Sequence, residues 1–347
     1  MAEEQPHRPR YARRRTVYAA VEMISSYLKA HRAFLKRLVY LGTAVGLYGS
    51  ITPYIPASVL ITDIPSHFTL HYIIGTAFLI ALSLILRVHK IIFAAQAVVI
   101  LICTITLLPY LIPAATAAPD EKSFKILQAN TLYLNKNPQA LEHLIAVEKP
   151  DIIALSEVNS AFAQMLSGLK EEYPYQLVEP KDHDARGLAL LSRHPTSGME
   201  TISFADVYVP AQLAQISIGT AELVLASVHP RTPLHGLDLR DADFAVMADR
   251  FAQIATDKTP FIITGDFNAT PFCPALRKLK RNLNLSDARR GYGLQQTWPV
   301  WLPAPLRIPI DHVLVSRGVS VLDYRLGPSV GSDHLPTIAV LGLADQP

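Results

Sequence analysis

Hydrophobic residues are distributed unevenly along the chain. Three long apolar runs occupy the first third, at residues 38–54, 68–86 and 91–112. None contains Asp, Glu, Lys or Arg, and each approaches the ~20 residues that a helix needs to cross the ~30 Å hydrocarbon layer of a membrane. The first run is the weakest because it is short and rich in Gly. The pattern predicts three transmembrane helices over residues 38–112.

Two alternatives to membrane helices are disfavoured for these runs. Buried helices of a soluble domain rarely continue this far without a charged residue. A cleaved signal peptide has a single apolar region, whereas here a long basic tail precedes three runs. The Ala-rich stretch PAATAAPDEK is interpreted as part of a linker over residues 113–123, with cleavage there as the minor alternative.

The charges around the runs predict an orientation. Nine Lys/Arg and three acidic residues lie in a tail over residues 1–37, and Arg87 and Lys90 flank the loop between the second and third runs. The loop between the first two runs carries Asp63 and neither Lys nor Arg. Short cytoplasmic loops are enriched in Lys and Arg. The N-terminus is therefore expected in the cytoplasm, the runs in the plasma (bacterial inner) membrane, and the remaining chain in the periplasm or outside the cell.

The basic tail has an apolar periodicity of its own. Val17, Val21, Ile24 and Leu28 recur at helical spacing among Arg and Lys residues. This pattern is typical of an amphipathic helix on an anionic membrane surface. A solvated helix, or a tail that acts only as a topology signal, fits equally well.

From Phe124 onward, short apolar segments alternate with helical ones, which predicts a folded domain over residues 124–343. KILQAN and DIIALSEV are predicted strands separated by the predicted helix PQALEHLIAV, and LAQISIGTAELVLASV is predicted to form a hairpin that turns at Gly219 and Thr220. Hairpins mixed with strand–helix–strand units indicate mixed sheets and an α/β fold of the α+β type.

Polar residues recur at the ends of these predicted strands. A single one would be attributed to capping or turn formation, but so many together indicate a functional site. They are Asn130 in QAN, Glu157 in LSE, His229 in SVHP, Asp266 and Asn268 in GDFNATP, Asp311 in PIDHVLVS, and Asp333 and His334 in GSDHLP. Because side chains alternate along a strand, Asp266 and Asn268 are expected to point the same way, with Phe267 on the opposite face.

These six motifs, in this order and spacing, resemble the endonuclease/exonuclease/phosphatase family, whose fold is that of deoxyribonuclease I. The resemblance covers about residues 124–343. It implies a four-layer sandwich of two mixed sheets packed face to face, with helices outside, here preceded by the three predicted transmembrane helices.

The resemblance also implies a metal site. Glu157 matches the metal-binding carboxylate of the family, with Asn130 beside it and Asp333 completing the set. Carboxylate and amide oxygens suit Mg²⁺, with Mn²⁺ as an alternative ion.

Catalytic roles are implied in the same way. Asp266 matches the group that orients or deprotonates the attacking water, and Asn268 the amide that donates to the phosphoryl oxygen. His334 matches the histidine that contacts the phosphate or acts as the base, with Asp311 fixing its tautomer. His229 matches the general acid near the leaving oxygen. Whether Asp266 or His334 is the base stays open.

Four further residues have less specific sequence signals. Arg186 in VEPKDHDARG and Arg231 after SVHP could bind a substrate anion, with solvated surface charge as the alternative in each case. Trp298 and Trp301 in TWPVWLPAPLR could form a lip over the site, but packing within a Pro-rich loop is favoured.

Charge and cysteine content narrow the function. The net charge is +3, yet from Asp120 onward 25 acidic residues outnumber 21 Lys/Arg. A duplex-DNA-binding domain usually has a basic face, so nucleic acid is possible but not favoured. The two cysteines, Cys103 and Cys273, form neither a disulfide framework nor a zinc-ligand set.

The sequence therefore predicts a membrane-tethered, Mg²⁺-dependent phosphohydrolase that acts by in-line water attack. Its substrate could be a phospholipid headgroup, a nucleic acid or a small phosphoester, cleaved as a diester or a monoester. The alternative is a catalytically inactive binding module on the same fold. No protein partner is indicated.

Overall fold

The computed structural model describes residues 10–55, 59–113, 123–204, 207–255 and 259–343. The side chains of Val17, Val21, Ile24 and Leu28 lie outside that description, as does most of the predicted linker. The chain divides into two compact units. One comprises Met1–Tyr48 with Tyr72–Leu101, and the other comprises Gly49–His71 with Ile102–Pro347.

The described part of the first third contains four helices: α1 (Arg10–Ile51), α2 (Leu60–Ser66), α3 (Thr69–Leu86) and α4 (Lys90–Leu111). Of these, α3 and α4 are long and apolar enough to cross a membrane. The prediction of three spans is not supported, since the described residues contain two candidates. The run at residues 38–54 instead forms the end of α1, where repeated Gly and polar residues dilute its apolar content and the helix gives way to a 3₁₀ turn at Thr52–Tyr54.

Polar side chains, of which Thr43, Ser83 and Gln96 are buried, connect the helices of the first unit. Gln96 Nε2 donates to Thr43 Oγ1 at 3.2 Å and to Ser83 Oγ at 3.0 Å. Arg32 donates to the carbonyl oxygen of Leu86 at 3.1 Å. Hydrogen bonds between helices of this kind are common where apolar helices pack in a membrane.

The second unit contains two six-stranded sheets and four further α-helices among its described residues. The strands are β1 (Ser123–Asn130), β2 (Ile152–Ser156), β3 (Tyr175–Glu179), β4 (Leu188–Ser192), β5 (Thr196–Phe204), β6 (Val207–Ile218), β7 (Ala221–Val228), β8 (Phe261–Asp266), β9 (Ser286–Asp287), β10 (Asp311–Val315), β11 (Val319–Leu326) and β12 (Thr337–Leu343). The helices are α5 (Gln139–Glu148), α6 (Ser160–Ser167), α7 (Leu237–Ala252) and α8 (Pro274–Asn282).

Each sheet contains one parallel strand pair among antiparallel ones. The first sheet has the order β11-β12-β1-β2-β4-β3, and the second has the order β5-β6-β7-β8-β10-β9. The parallel pairs are β1 with β2 and β7 with β8. β6 and β7 form the predicted hairpin, in which Ile218 pairs with Ala221 across the Gly219–Thr220 turn.

Three apolar layers explain why the central strands are buried on both faces. The inner faces of the two sheets pack together through residues such as Ile126, Leu225 and Val313. The outer face of the first sheet packs on α5 and α6, and the outer face of the second on α7 and α8. The predicted four-layer α/β sandwich is thereby confirmed.

The segment before α3 belongs to this second unit. Arg277 on α8 donates to the carbonyl oxygen of Pro53 at 2.7 Å, and His71 Nε2 lies 3.1 Å from the carbonyl oxygen of Leu306. The segment 49–71 therefore contacts the same domain that carries the sheets.

Candidate active site

Strand register brings the polar strand ends together. Asn130 pairs with Ser156, so that Glu157 follows at the same edge. In the second sheet Asp311 pairs directly with Asp266. The two parallel pairs and the start of β10 thus deliver their end residues to one region between the sheets.

Gly265 allows β7 and β8 to approach closely at this edge. It has φ +147°, and a Cβ there would lie 1.9 Å from the carbonyl oxygen of Val228. Because any side chain would clash with backbone, only Gly fits at this position. The close approach sets His229, the next residue after Val228, beside Asp266.

Asn130 connects the two sheets. Its Nδ2 donates to Glu157 Oε1 at 2.8 Å and to Asp266 Oδ2 at 3.0 Å, while its Oδ1 accepts from the amide of Leu132 at 2.9 Å. Glu157 Oε2 also accepts from the amide of Tyr133 at 3.1 Å. Glu157 has φ 60°, a left-handed conformation that is costly for a residue with a side chain and concentrates at functional sites.

His229 presents one ring nitrogen to the site. Its Nδ1 lies 2.9 Å from the carbonyl oxygen of Ala185, which makes this nitrogen the donor. Its Nε2 lies 3.2 Å from Asn268 Nδ2, 3.5 Å from Asp266 Oδ2 and 3.9 Å from Glu157 Oε1. A neutral ring can accept from Asn268, and a protonated ring can donate to Asp266. Both protonation states therefore have a partner.

The charges around His229 favour its protonated form. Burial lowers the pKa of the ring, but the hydrogen bond and negative charge of Asp266 and the charge of Glu157 outweigh it and raise the pKa to about 9. The carboxylate of Asp266 is correspondingly held ionised. Burial raises its pKa, but the positive charges and hydrogen bonding of His334 and His229 outweigh burial and hold the pKa well below its usual range.

His334 is held by a second buried carboxylate. Its Nδ1 lies 2.8 Å from Asp311 Oδ2, and its Nε2 faces Asp266 Oδ2 at 3.7 Å. Burial lowers the pKa of His334, but Asp311, Asp266 and Asp333 outweigh it and raise the pKa to about 10. Asp266 thus lies between two imidazoles, each with its outer nitrogen already fixed.

Asn268 reaches the site by a route that strand alternation did not predict. β8 ends at Asp266, and Asn268 lies in the following bend with φ 50°. Its amide N–H donates to Asp266 Oδ1 at 2.8 Å, and its Nδ2 donates to the carbonyl oxygen of Pro230 at 3.0 Å. The turned backbone, rather than the strand pleat, brings the two side chains to the same region. Phe267 points away into the core, where it is fully buried.

Asp333 lies on the His334 side of the site. Its Oδ1 is 4.0 Å from His334 Nε2, and its Oδ2 accepts from Trp298 Nε1 at 2.9 Å. Among the described residues, the group of possible metal ligands that includes Glu157 also contains His229 and Asp266, and the metal role of Asp333 stays a prediction.

Comparison with known proteins identifies the family. A model of the endonuclease/exonuclease/phosphatase family matches residues 127–334, which is more than half of the chain. The chain belongs to this family. Members hydrolyse phosphoester bonds and typically use divalent metal ions. No curated protein matches the chain in a sequence search.

Solved structures of this family share the fold. A humanized Danio rerio TDP2 with 14 mutations has a TM-score of 0.54 at 17% identity, over 64% of this chain and 99% of that one. A Bacteroides vulgatus endonuclease/exonuclease/phosphatase has a TM-score of 0.54 at 20% identity, over 64% and 99%. The human nocturnin catalytic domain with bound sulfate has a TM-score of 0.53 at 20% identity, over 66% and 97%. At these identities the likeness concerns the fold alone.

The donor set fits the divalent ion typical of the family. Glu157 and Asp266 bring carboxylate oxygens close together, both hydrogen-bonded to Asn130 Nδ2, and hard oxygen ligands are those preferred by Mg²⁺. A second cluster, of Asp63, His67 and Cys273, fits a metal less well. Asp63 is already paired with Arg240, and burial raises the pKa of the Cys273 thiol to about 12, which disfavours the thiolate that binds metal.

The two arginines predicted to contact substrate have partners elsewhere. Arg231 Nε donates to Asp243 Oδ2 at 2.9 Å, and its Nη2 donates to the carbonyl oxygen of Leu239 at 3.3 Å, which turns the guanidinium toward α7. Arg186 is paired with Asp184 in its own loop.

Sequence reasoning missed two residues that hold the family's site in place. Gln128 Nε2 donates to Asp311 Oδ1 at 3.0 Å, so it supports the carboxylate behind His334. Its position two residues before Asn130 on β1 was the available signal, because such residues share a strand face. Trp298 was favoured to pack within its loop, with a lip over the site as the alternative; its indole N–H donates to Asp333 and its ring lies 6.4 Å from that of His334.

Proposed function

We propose that this protein is a membrane-anchored hydrolase of phosphoric esters that acts by in-line attack of water. The observation that carries the proposal is the position of Asp266 between His229 and His334, at 3.5 Å and 3.7 Å. Hydrolysis needs one group to manage the proton of water and another to protonate the leaving oxygen. Two oriented imidazoles around one carboxylate meet that need.

His229 is the proposed general acid. Its fixed Nδ1 leaves Nε2 free to point into the site, and its raised pKa keeps a proton available at neutral pH. Asp266 orients the attacking water. His334, held by Asp311 and kept protonated by its raised pKa, contacts the phosphoryl group, and the ionised Asp266 receives the proton of the water. Asn268 Nδ2, 3.2 Å from His229 Nε2, is suitably placed to donate to a phosphoryl oxygen as charge develops there.

Glu157 and Asn130 would hold Mg²⁺, or Mn²⁺ as the alternative. When bound, such an ion neutralises charge on the phosphoryl oxygens and makes the phosphorus more electrophilic. Asp333 is the third proposed member of this metal set; its Oδ1 lies 4.0 Å from His334 Nε2 and its Oδ2 accepts from Trp298 Nε1, so it also supports that side of the site.

The membrane anchor is proposed from α3 and α4. Two consecutive spans return the chain to its starting side, so the segments that flank them directly, 49–71 and 102–113, should lie on the same side, whereas the basic part of α1 lies at the closed end, where Arg32 donates to the carbonyl oxygen of Leu86. Segments 49–71 and 102–113 belong to the same compact unit as the sheets, which supports this hairpin. Arg87 and Lys90 at its closed end favour the cytoplasm for that end and the exterior for the catalytic domain.

The proposed substrates are phosphoesters close to the membrane, phospholipid headgroups above all. The anchor confines the domain near the bilayer, and the excess of acidic residues after Asp120 disfavours extended contact with nucleic acid. Danio rerio TDP2 has been solved with a single-strand DNA product, so nucleic acid belongs in any substrate test.

The test uses the full chain in neutral detergent with Mg²⁺. The substrates are a phospholipid, sphingomyelin, single- and double-stranded DNA, RNA and a simple monoester. We expect Asp266→Asn to abolish hydrolysis and Asp249→Asn, at an exposed position on α7, to leave it unchanged. If wild type and Asp266→Asn are equally inactive on every substrate, the domain is a binding module and the hydrolase proposal fails.

A further inference from the structure

A cavity of about 740 Å³ lies away from the catalytic residues, beside α8 and the end of α4. Its polar wall carries five basic residues: Arg277, Lys280, Arg281, Arg290 and Arg317. None of the proposed catalytic or metal-binding residues lines it. We call it the basic groove.

The positive charge of the basic groove is largely uncompensated. Asp287 is the only acidic residue that lines it, and its carboxylate is already engaged by Arg289 Nε at 3.0 Å and His312 Nδ1 at 3.2 Å. Lys280 and Arg281 form no ion pair with any residue that the structure describes. An excess of unpaired cations in a concave site favours an anionic ligand.

Lys280 is the central member of this set. Its side chain is half-buried, and burial together with the nearby arginines lowers its pKa to about 8, against the opposing effect of Asp287. Removing an ammonium group even partly from water costs free energy when no counter-ion pairs with it. An anion bound in the basic groove would remove that cost.

The opposite wall of the groove belongs to a candidate membrane helix. Ile105, Thr106, Pro109 and Tyr110 lie in the last turns of α4. With a rise of about 1.5 Å per residue, Ile105 lies about 9 Å before the helix end. The polar headgroup layer is ~5–8 Å deep on each side of the bilayer, so with the end of α4 at the bilayer surface this wall would span the boundary between acyl chains and headgroups.

Aromatic residues at the groove are consistent with that depth. Tyr110 and Tyr54 both line it. The Tyr54 hydroxyl lies 2.7 Å from Thr106 Oγ1, and the Arg277 guanidinium lies 5.0 Å from the centre of the Tyr54 ring. Tyr and Arg are enriched where a membrane protein meets the headgroup layer.

We propose that the basic groove binds the phosphate of an anionic phospholipid headgroup, with Lys280 and Arg281 as its ligands and the acyl chains along the apolar end of α4. This inference rests on the membrane anchoring in the proposed function, but not on hydrolysis. Ammonium and guanidinium groups are suited to phosphate. A free phosphate shares that chemistry, but it would leave the adjoining apolar wall without a partner.

The test measures lipid binding by the full chain. The protein in neutral-detergent micelles is titrated with phosphatidylglycerol or phosphatidylcholine, and bound lipid is read by native mass spectrometry and by the rise in unfolding temperature. We expect selective binding of phosphatidylglycerol. Lys280→Gln should weaken it about fivefold, the effect of one interfacial charge. Lys280→Arg should retain it.

Lys278→Gln is the matched control, because Lys278 lies on the same helix, is exposed and does not line the groove. Equal effects of Lys278→Gln and Lys280→Gln, or equal binding of the two lipids, would overturn the proposal. Full stabilisation by inorganic phosphate alone would assign the groove to a free anion instead. The Asp266→Asn protein should bind lipid normally, which separates this test from that of hydrolysis.

Discussion

Asp63 and Arg240 form a fully buried ion pair between the segment preceding α3 and helix α7. Arg240 Nη2 donates to Asp63 Oδ1 at 2.7 Å and Nη1 donates to Asp63 Oδ2 at 3.0 Å. His67 Nε2 lies 3.2 Å from the same carboxylate, and His67 Nδ1 accepts from the amide of Thr270 at 3.1 Å. This network connects α2, in segment 49–71, to the loop that follows Asp266.

The Asp63→Ala protein is expected to be destabilised by about 3–5 kcal/mol, because it leaves the guanidinium of Arg240 buried without its partner. The measurement is the unfolding of the full chain in detergent by heat or denaturant. Asp249→Asn, an exposed change on the same helix as Arg240, should shift stability by less than about 0.5 kcal/mol. Equal stability of the two variants would mean that the ion pair is not buried in the protein.

The Asp311→Asn protein should fold normally but lose about 10²–10⁴-fold in kcat, since an amide no longer stabilises and orients the protonated ring of His334. Steady-state hydrolysis of the best phosphoester substrate gives the measurement. Asp323→Asn, on the partly exposed strand β11, serves as the control. A kcat within twofold of wild type for Asp311→Asn would contradict the role of His334.

The Glu157→Gln protein should need at least about tenfold more Mg²⁺ for half-maximal activity, because the site loses a charged oxygen ligand. Activity is titrated with Mg²⁺ after removal of metal by a chelator, which should itself abolish hydrolysis. Glu142→Gln changes an exposed residue on α5 and should leave the titration unchanged. An unaltered Mg²⁺ requirement in Glu157→Gln would remove this residue from the metal site.

Gly265→Ala should destabilise the protein by roughly 3 kcal/mol or more and abolish activity, because its Cβ would meet the carbonyl oxygen of Val228 at 1.9 Å. Gly198→Ala provides the comparison. Gly198 also has a positive φ, of +57°, but no heavy atom lies within 4 Å of the place that a Cβ would take there, so only about 1–2 kcal/mol of backbone strain is expected. Similar losses in both variants would argue against a close approach of β7 and β8.

Binding to the basic groove should weaken as pH rises through about 8. Lys280 has its pKa lowered to about 8, chiefly by burial, with Asp287 opposing and Arg289, Arg277 and Arg290 contributing. Above that pH, Lys280 of the lipid-free protein is deprotonated, and the positive charge that would bind the headgroup phosphate is lost. Bound lipid stabilises the protonated form, so it would raise the pKa of Lys280. Phosphatidylglycerol titrations between about pH 7 and 10 provide the measurement.

Lys280→Arg is the control for this pH dependence, since Arg stays charged over the whole range. Lipid binding by that variant should change little with pH. The free energy of unfolding of the lipid-free wild type should change with pH in the opposite direction and rise between about pH 8 and 10.4. An unfolded Lys titrates near 10.4, so over this range the folded protein no longer has to bury the charge. A wild-type affinity that is flat with pH would contradict the assignment of Lys280.

The fold was accessible to sequence reasoning because its central strands carry a strong local signal. β2, β4, β8 and β10 are apolar along their length and buried on both faces, as expected for strands between two layers. Polar residues lie at the ends of these strands, such as Glu157 after β2, Asp266 at the end of β8 and Asp311 at the start of β10. Neighbouring strand ends meet at one edge of a sheet, so these residues are brought together. The convergence of Asn130, Glu157, His229 and Asp266 follows from those local patterns once the strands pair.

The ion-pair partners of Arg231 and Arg240 could not be predicted from the sequence in this way. Arg231 and Arg240 both lie near His229 in sequence, yet one pairs with Asp243 and the other with Asp63. The sequence likewise did not name the hydrogen-bond partner of Trp298, whose indole donates to Asp333. A charged side chain has no periodic pattern that names its partner, so these pairs follow only from the packed structure.

The sequence by itself determined the class of fold, the apolar helical region and the polar strand-end residues of the candidate site, because hydrophobic periodicity and strand alternation are features of local sequence. The tertiary structure decided which two helices qualify as spans, that segment 49–71 contacts the catalytic domain, and that five basic residues share a groove with the end of α4. These features depend on contacts between residues far apart in the chain, such as Tyr54 and Arg277, and their energies exist only after the layers have packed.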